Sequence, residues 1–393
     1  MLRKRVRPIV EVDQREVRHA KGHPSDCSAH PVRAFTAFGA GAQGAPIKIG
    51  VPVPLSGGNA KMGNDISQAA TLAVEEWNAK GGVLGRKIEI MAFDDACDAQ
   101  QSVTAAHKLV DGGVVAVAGG YCSSAAIPAS AVYHDAGVAF VADASSNPKL
   151  TDQGFENVFR VIGRDDQQGP YAAGFMVNTL KAKKIAIIHD NTLYAKGLAD
   201  ATKAALEGKP GVQVVFFDAV TPGEKDFSAV LTKVKSLSPD VTYYTGYYPE
   251  GGLIAKQFKD LGVPGKFMAG DANNDPTFIS EAGPASEGVY VTSTPLPQDQ
   301  SSAKSFIDRY KKRWNQDPGP YSALEYDAVN VVINAIKQSG STDRAAIIKA
   351  ITGTKNYQGA TGAINFDKKG DRTSVLYITY IIKGGKFVPV GVS

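Results

Sequence analysis

Two serines, Ser123 and Ser124, stand directly after Gly119-Gly120-Tyr121-Cys122, and that spacing suits the capture of a small anion. Residues 114–118 are an unbroken apolar run and read as a buried strand, and residues 127–136 read as a helix. The first backbone N–H groups of a helix have no intrahelical partner and sit at the positive end of its dipole. Two serine hydroxyls there add donors. A carboxylate or a phosphate would be held without any lysine or arginine. Taken alone, the stretch is better explained by a serine that merely caps the helix. The rest of the chain shifts that balance.

Residues fit for bond-making chemistry are scarce. Beyond residue 45 there is no GxSxG, no HExxH, no P-loop and no GxGxxG. Beyond residue 45 the histidines are His107, His134 and His189. The first two fall in helices. His189 ends a strand, with no nucleophile paired to it by sequence. There is no CxxC and no Cys/His cluster at metal spacing, so no enzyme, cofactor or metal site is expected. The cysteines are Cys27, Cys97 and Cys122. With Cys27 set apart near the start, the other two suggest one disulfide and an oxidising compartment, or else two free buried thiols.

The 393 residues are 43% apolar, a length and composition for about two domains. The formal charge is +4. Residues 1–45 hold the excess of Lys and Arg, and the remainder is balanced, so nucleic acid is not an expected partner. No apolar run is long enough to span a membrane. Residues 1–33 are basic and without apolar periodicity, so no packed structure is expected there. Residues 34–45 then offer a short apolar segment followed by small residues, as at the end of a secretory signal. Residues 1–45 are therefore expected to be a leader or signal remnant. The start would be assigned upstream of the true one, and the mature protein would begin between about Gln43 and Pro46.

From residue 46 onward, strands and helices alternate. Strands are expected at 47–53, 87–93, 114–118, 138–142 and 157–161, with helices at 63–80, 99–111 and 127–136. The pattern restarts with helix 167–180, then strands 184–189, 212–218, 241–244 and 266–269 separated by helices 194–207, 227–236 and 250–261. A strand at 289–292, helices near 301–314, 323–339 and 343–351, and strands near 363–366, 376–382 and 387–390 complete it. Short loops between alternating elements indicate α/β architecture, with mostly parallel central sheets wound with helices. Two such units without a long linker suggest two Rossmann-like lobes hinged over a ligand cleft.

Six segments make the pattern specific. They are Asn78-Ala79-Lys80-Gly81-Gly82, Asp94-Asp95-Ala96-Cys97-Asp98, Cys122-Ser123-Ser124, Ile185-Ala186-Ile187 with His189-Asp190, Gly223-Glu224-Lys225-Asp226-Phe227-Ser228, and Tyr243-Tyr244 with Tyr247 and Pro249-Glu250. Each is weak alone; six in order are strong. Over residues 46–393 the chain resembles the branched-chain amino-acid (Leu/Ile/Val)-binding proteins of ABC importers, class I periplasmic binding folds. The resemblance implies three crossings between lobes, near 163–166, 293–295 and 371–373. Lobe 1 would be 46–164 plus 294–371, and lobe 2 would be 165–293 plus 372–393.

The resemblance also implies a site for an amino-acid zwitterion. Ser123 would hold the carboxylate through its hydroxyl and N–H. Ala144 would offer its carbonyl, and Ser146 its hydroxyl and N–H. Ser146 stands where close relatives carry Thr. The acidic partner of the ammonium falls on Asp271, where close relatives carry Glu, and an aspartate serving only a turn competes with that role. Tyr194 and Tyr247 would line the pocket from the second lobe, with Tyr121 and Tyr321 as further wall. Met62 takes the place of an aromatic ring over the ligand side chain. Cys97 and Cys122 match the family's disulfide. The implied protein is an exported, periplasmic monomer that delivers a small amino acid, branched-chain first, to a membrane permease. A ligand-sensing domain of the same fold, for an amide or small acid, and a binder of aromatic or other small acids are the alternatives.

Overall fold

The computed structural model describes residues 44–390. The leader expected over 1–45 lies outside them, apart from its last two residues. Strands β1 (Ile47–Val53), β2 (Ile88–Asp94), β3 (Ala116–Gly119), β4 (Ala139–Ala142) and β5 (Val158–Arg160) alternate with helices α1 (Ala60–Ala79), α2 (Ala99–Asp111), α3 (Ser123–Asp135) and α4 (Lys149–Asp152). These strands form one all-parallel sheet in the order β2-β1-β3-β4-β5. Apart from the half-exposed edge strand β2, the strands are buried because helices cover both faces.

After α5 (Asp165–Gly174) the alternation resumes with β6 (Lys184–His189), α6 (Leu193–Glu207), β7 (Gln213–Ala219), α7 (Ser228–Leu237), β8 (Val241–Tyr244), α8 (Tyr248–Asp260), β9 (Lys266–Ala269), α9 (Pro276–Ala282) and β10 (Tyr290–Ser293). The chain returns to the first sheet's side with α10 (Lys304–Trp314), α11 (Ser322–Ser339) and α12 (Arg344–Thr352). A small hairpin, β11 (Tyr357–Gly359) and β12 (Gly362–Ile364), follows, and then β13 (Ile378–Lys383) and β14 (Lys386–Pro389). The second sheet runs β14-β13-β10-β9-β8-β6-β7, parallel except where β13 and β14 join antiparallel. Helix α11 packs on α1 and on the β3 and β4 side of the first sheet.

Most expected elements are present within a few residues of their bounds. Three differences have local causes. Helix α3 starts at Ser123 rather than Ile127, because Cys122 takes the extended N-cap conformation. Helix α5 continues through a π-helical stretch, Phe175–Thr179, so its apolar spacing departs from a 3.6-residue repeat. Helix α9 was not expected; it is short, and Asp275 caps it by accepting from the Thr277 N–H at 2.7 Å.

Three acids lie buried near the carboxyl ends of the first sheet: Asp95, Asp143 and Glu325. Burial pushes Asp143 up to about 7 and Asp95 up to about 6. Burial and then the charge of Asp143 raise Glu325 as well. The folded state therefore favours their protonated forms. That contribution is full below the unfolded carboxyl value of 3.8 and is lost as pH rises through the folded values. Buried His189 works in the opposite sense, since burial lowers its pKa. Asp143→Asn should accordingly raise the Tm at pH 8 by several degrees and change it little at pH 4.5. Thermal melts at the two pH values check this, and an equal shift at both would rule out the buried carboxylate as the cause.

Candidate functional site

The glycine turn after β3 can only be built from glycines. Gly119 and Gly120 have φ of +131° and +94°. A Cβ on Gly119 would meet the Pro52 carbonyl oxygen at 2.9 Å, and one on Gly120 the Phe140 ring at 2.8 Å. The turn delivers Ser123 and Ser124 as the first two residues of α3. Neither is the N-cap, so the capping role weighed against an anion site is not theirs. Ser123 Oγ accepts from the Asn147 N–H at 3.3 Å, which leaves its own proton free to donate. Ser124 Oγ accepts from the Leu193 N–H at 3.0 Å, across to the second sheet's side.

Cys97 and Cys122 form a disulfide across 25 positions of sequence. Ala96 and Cys97 both take left-handed backbone conformations, φ 48° and 57°. The carboxylates of Asp94 and Asp95 hold that turn by accepting from the Ala96 and Cys97 N–H groups, each at 2.9 Å. The bridge thus ties the N-cap of α3 to a turn braced by its own acids. Reducing it should cost ~2–4 kcal/mol of stability. It should also weaken ligand binding through Ser123; unchanged affinity in reductant would contradict this role.

The loop after β4 is shaped by one buried arginine. Arg160, fully buried at the end of β5, donates to the carbonyls of Ser145 at 2.9 Å and Asn147 at 3.0 Å. Ser145 Oγ donates back to the Gly120 carbonyl at 2.6 Å. The Ser146 carbonyl accepts from the Asp165 N–H at 3.0 Å. The Ala144 carbonyl accepts nothing from the described residues, and the Ser146 hydroxyl is buried without a partner. Arg160 is held in turn by Asp371, with Nε 2.6 Å from Oδ1 but off the angle of a hydrogen bond.

Asp271 opens a short 3-10 turn after β9, yet its side chain does not serve that turn. Its two oxygens accept from Tyr194 Oη at 2.7 Å and Tyr321 Oη at 2.9 Å. Burial raises its pKa, and the hydrogen bonds from Tyr194 and Tyr321 oppose the rise. Among the described residues it has no Lys, Arg or His partner within 4.0 Å. The rings of Tyr121 and Tyr247 are 5.6 Å apart, Tyr121 and Tyr321 5.4 Å, and Tyr194 and Tyr247 5.1 Å. Burial pushes all four phenols up, so they stay neutral donors.

Elements of the two sheets meet around this cluster. Tyr248 Oη donates to the Gly58 carbonyl at 3.0 Å, Asn147 Nδ2 to the Leu193 carbonyl at 2.5 Å, and Lys61 pairs with Asp275 at 2.9 Å. Ser123, Ala144, Ser146, Tyr121, Tyr194, Tyr247, Tyr321 and Asp271 are all buried. Met62 is buried too, in the first turn of α1, but no described hydrogen bond or ring contact joins it to the tyrosines or to Asp271. Arg160, Asn147 and the Lys61–Asp275 pair were not anticipated. Charged residues on separate elements carry no periodic signal that links them.

The profile of a family described as periplasmic binding protein matches residues 46–386. This chain belongs to that family. An amino acid binding protein of Pseudomonas aeruginosa is 38% identical over 341 residues, 86% of this chain and 90% of that one. Leu/Ile/Val-binding protein homolog 1 of Brucella suis is 37% identical over 347 residues, covering 88% and 93%. Among solved structures, the leucine binding protein LivK of Thermotoga maritima matches with TM-score 0.82 at 34% identity, covering 88% of this chain and 98% of that one. LivJ of Streptococcus pneumoniae, in complex with isoleucine, matches with TM-score 0.80 at 29% identity, covering 88% and 100%. Open α/β sheets bind ligands beyond the carboxyl ends of their strands, and the described cluster lies at such ends.

Proposed function

We propose that this periplasmic binding protein is the exported solute-binding component of an ABC importer, and that its solute is a branched-chain α-amino acid. One observation carries the reading. A donor-rich turn at Ser123 and a buried carboxylate at Asp271, with no cation of its own, come from different sheets into one closed cluster. A zwitterion offers an anion to the first and a cation to the second. The relatives whose names specify Leu, Ile and Val support the choice of side chain.

In this reading the lobes are 46–164 plus 294–371 and 165–293 plus 372–393. Gly163, Thr294, Pro295 and Arg372, from the three crossings, line a common cavity, which supports that division. The amino acid first meets lobe 1, its carboxylate at Ser123 and its ammonium at the Ala144 carbonyl and the Ser146 hydroxyl. Closure brings Tyr194, Tyr247 and Asp271 over it, with Tyr121 and Tyr321 as wall. The closed form is favoured because ligand contacts from both lobes exist only there. A monomer in that form docks on a membrane permease in the periplasm. The role is delivery, not catalysis.

A thermal-shift screen over the twenty amino acids tests this. Leucine, isoleucine and valine should raise the Tm most. No shift with any zwitterion would overturn the reading.

A further inference from the structure

Asp165 is the first residue of α5, and its carboxylate is fully buried. Among the described residues neither oxygen has a hydrogen-bond partner. Among the described residues no Lys, Arg or His nitrogen lies within 4.0 Å of it. Arg160 exerts a favourable charge on it but is committed to Asp371 and to the loop carbonyls. A Cβ placed on Gly197 would lie 3.4 Å from Asp165 Oδ2, which sets the carboxylate against the helix that carries Tyr194.

Two neighbours define its surroundings. Burial opposes its ionisation most, and the charge of Asp271 comes next. The phenols of Tyr194 and Tyr247 feel both carboxylates. The Ser146 hydroxyl leans toward Asp165 and favours its anion, but the pair does not close into a hydrogen bond; Ser146 Oγ is itself buried and unpartnered. Two carboxylates at such a site do not both stay ionised unless a cation or a proton is shared. A hydroxyl that accepts from an ammonium must also send its own proton elsewhere.

Resting on the amino-acid reading above, we propose that Asp165 is the second carboxylate of the ammonium pocket and sets the preference for α-amino over α-hydroxy acids. It takes the Ser146 proton, which turns that hydroxyl's lone pairs toward the ligand. It also adds a second negative charge opposite Asp271. An α-hydroxy acid brings no cation to this pocket, so the two carboxylates must take up a proton to be accommodated together.

The test is Asp165→Asn, titrated calorimetrically with leucine and with 2-hydroxy-4-methylpentanoate, its hydroxy analogue. Leucine affinity should fall about 10- to 100-fold, while the analogue's stays within about threefold or improves. Ser146→Ala should show the same selective loss, and the double variant should lose little more than either single one. An equal loss for both ligands would mark Asp165 as merely structural and overturn the proposal. So would undiminished leucine binding in a protein that still depends on Asp271. A wild-type protein that binds no amino acid would instead overturn the reading beneath it.

Discussion

Asp271→Asn should weaken leucine binding by about a hundredfold or more. Removing one member of a buried, hydrogen-bonded charge pair typically costs 2–5 kcal/mol, because the other charge is left desolvated and unpaired. In the proposed site that other charge is the ligand's ammonium. Tyr194 and Tyr321 donate to Asp271 and cannot replace it, since a neutral phenol meets an ammonium only through one lone pair. The unliganded variant should be no less stable than the wild type at pH 7.5. Burial already disfavours the charged carboxylate, and an amide of the same shape is spared that cost. Calorimetric titration together with thermal melts separates the two effects. Affinity within threefold of wild type would remove Asp271 from the pocket.

Arg160→Met should be the most destabilising single change in the first sheet. Arg160 is fully buried and serves Asp371, the carbonyls of Ser145 and Asn147, and Thr151 Oγ1. Methionine fills similar space and leaves the Ser145 carbonyl without a donor. Breaking a buried pair by removing one partner costs about 3–5 kcal/mol. Denaturant unfolding should show a loss of that size. Arg164 still reaches Asp371 Oδ2 at 2.7 Å and limits the damage on that side. The Asn147 carbonyl keeps the Leu150 N–H at 3.1 Å, but the Ser145 carbonyl, next to Ser146, has no such substitute among the described residues. Binding should therefore weaken as well, with Ser146 and Ala144 no longer held in place. A loss under 1 kcal/mol would show that the loop keeps its form without the guanidinium.

The parallel sheets were legible because burial on both faces leaves nearly unbroken apolar strands, as in β1 and β6, and because glycines mark the turns between them. The serine-bearing turn was legible for the same reason: β3 runs out through Gly119 and Gly120, which no other residue could replace. Asp271 was named only by resemblance, and its tyrosine partners lie 77 and 50 positions away in sequence. No local pattern reports such a distance. Asp165 was hidden differently. It sits in the run Arg164-Asp165-Asp166, where Arg164 and Asp166 pair at the surface and make the whole run look solvated. Only the fold turns the middle residue inward. The arginine hub escaped for want of periodicity, since Arg160 sits on β5 while its partners arrive from the loop after β4, from α4 and from the third crossing. Met62, expected over the ligand side chain, is packed in the core from the first turn of α1.

In the proposed function, one closed site reads both ends of an amino acid. The most direct measurement is calorimetric titration of the wild-type protein with leucine, with 3-methylbutylamine, which lacks the carboxylate, and with 4-methylpentanoate, which lacks the ammonium. Saturable binding of leucine, with each truncated ligand weaker by about a hundredfold or more, is the predicted result. Either truncated ligand binding as tightly as leucine would contradict it.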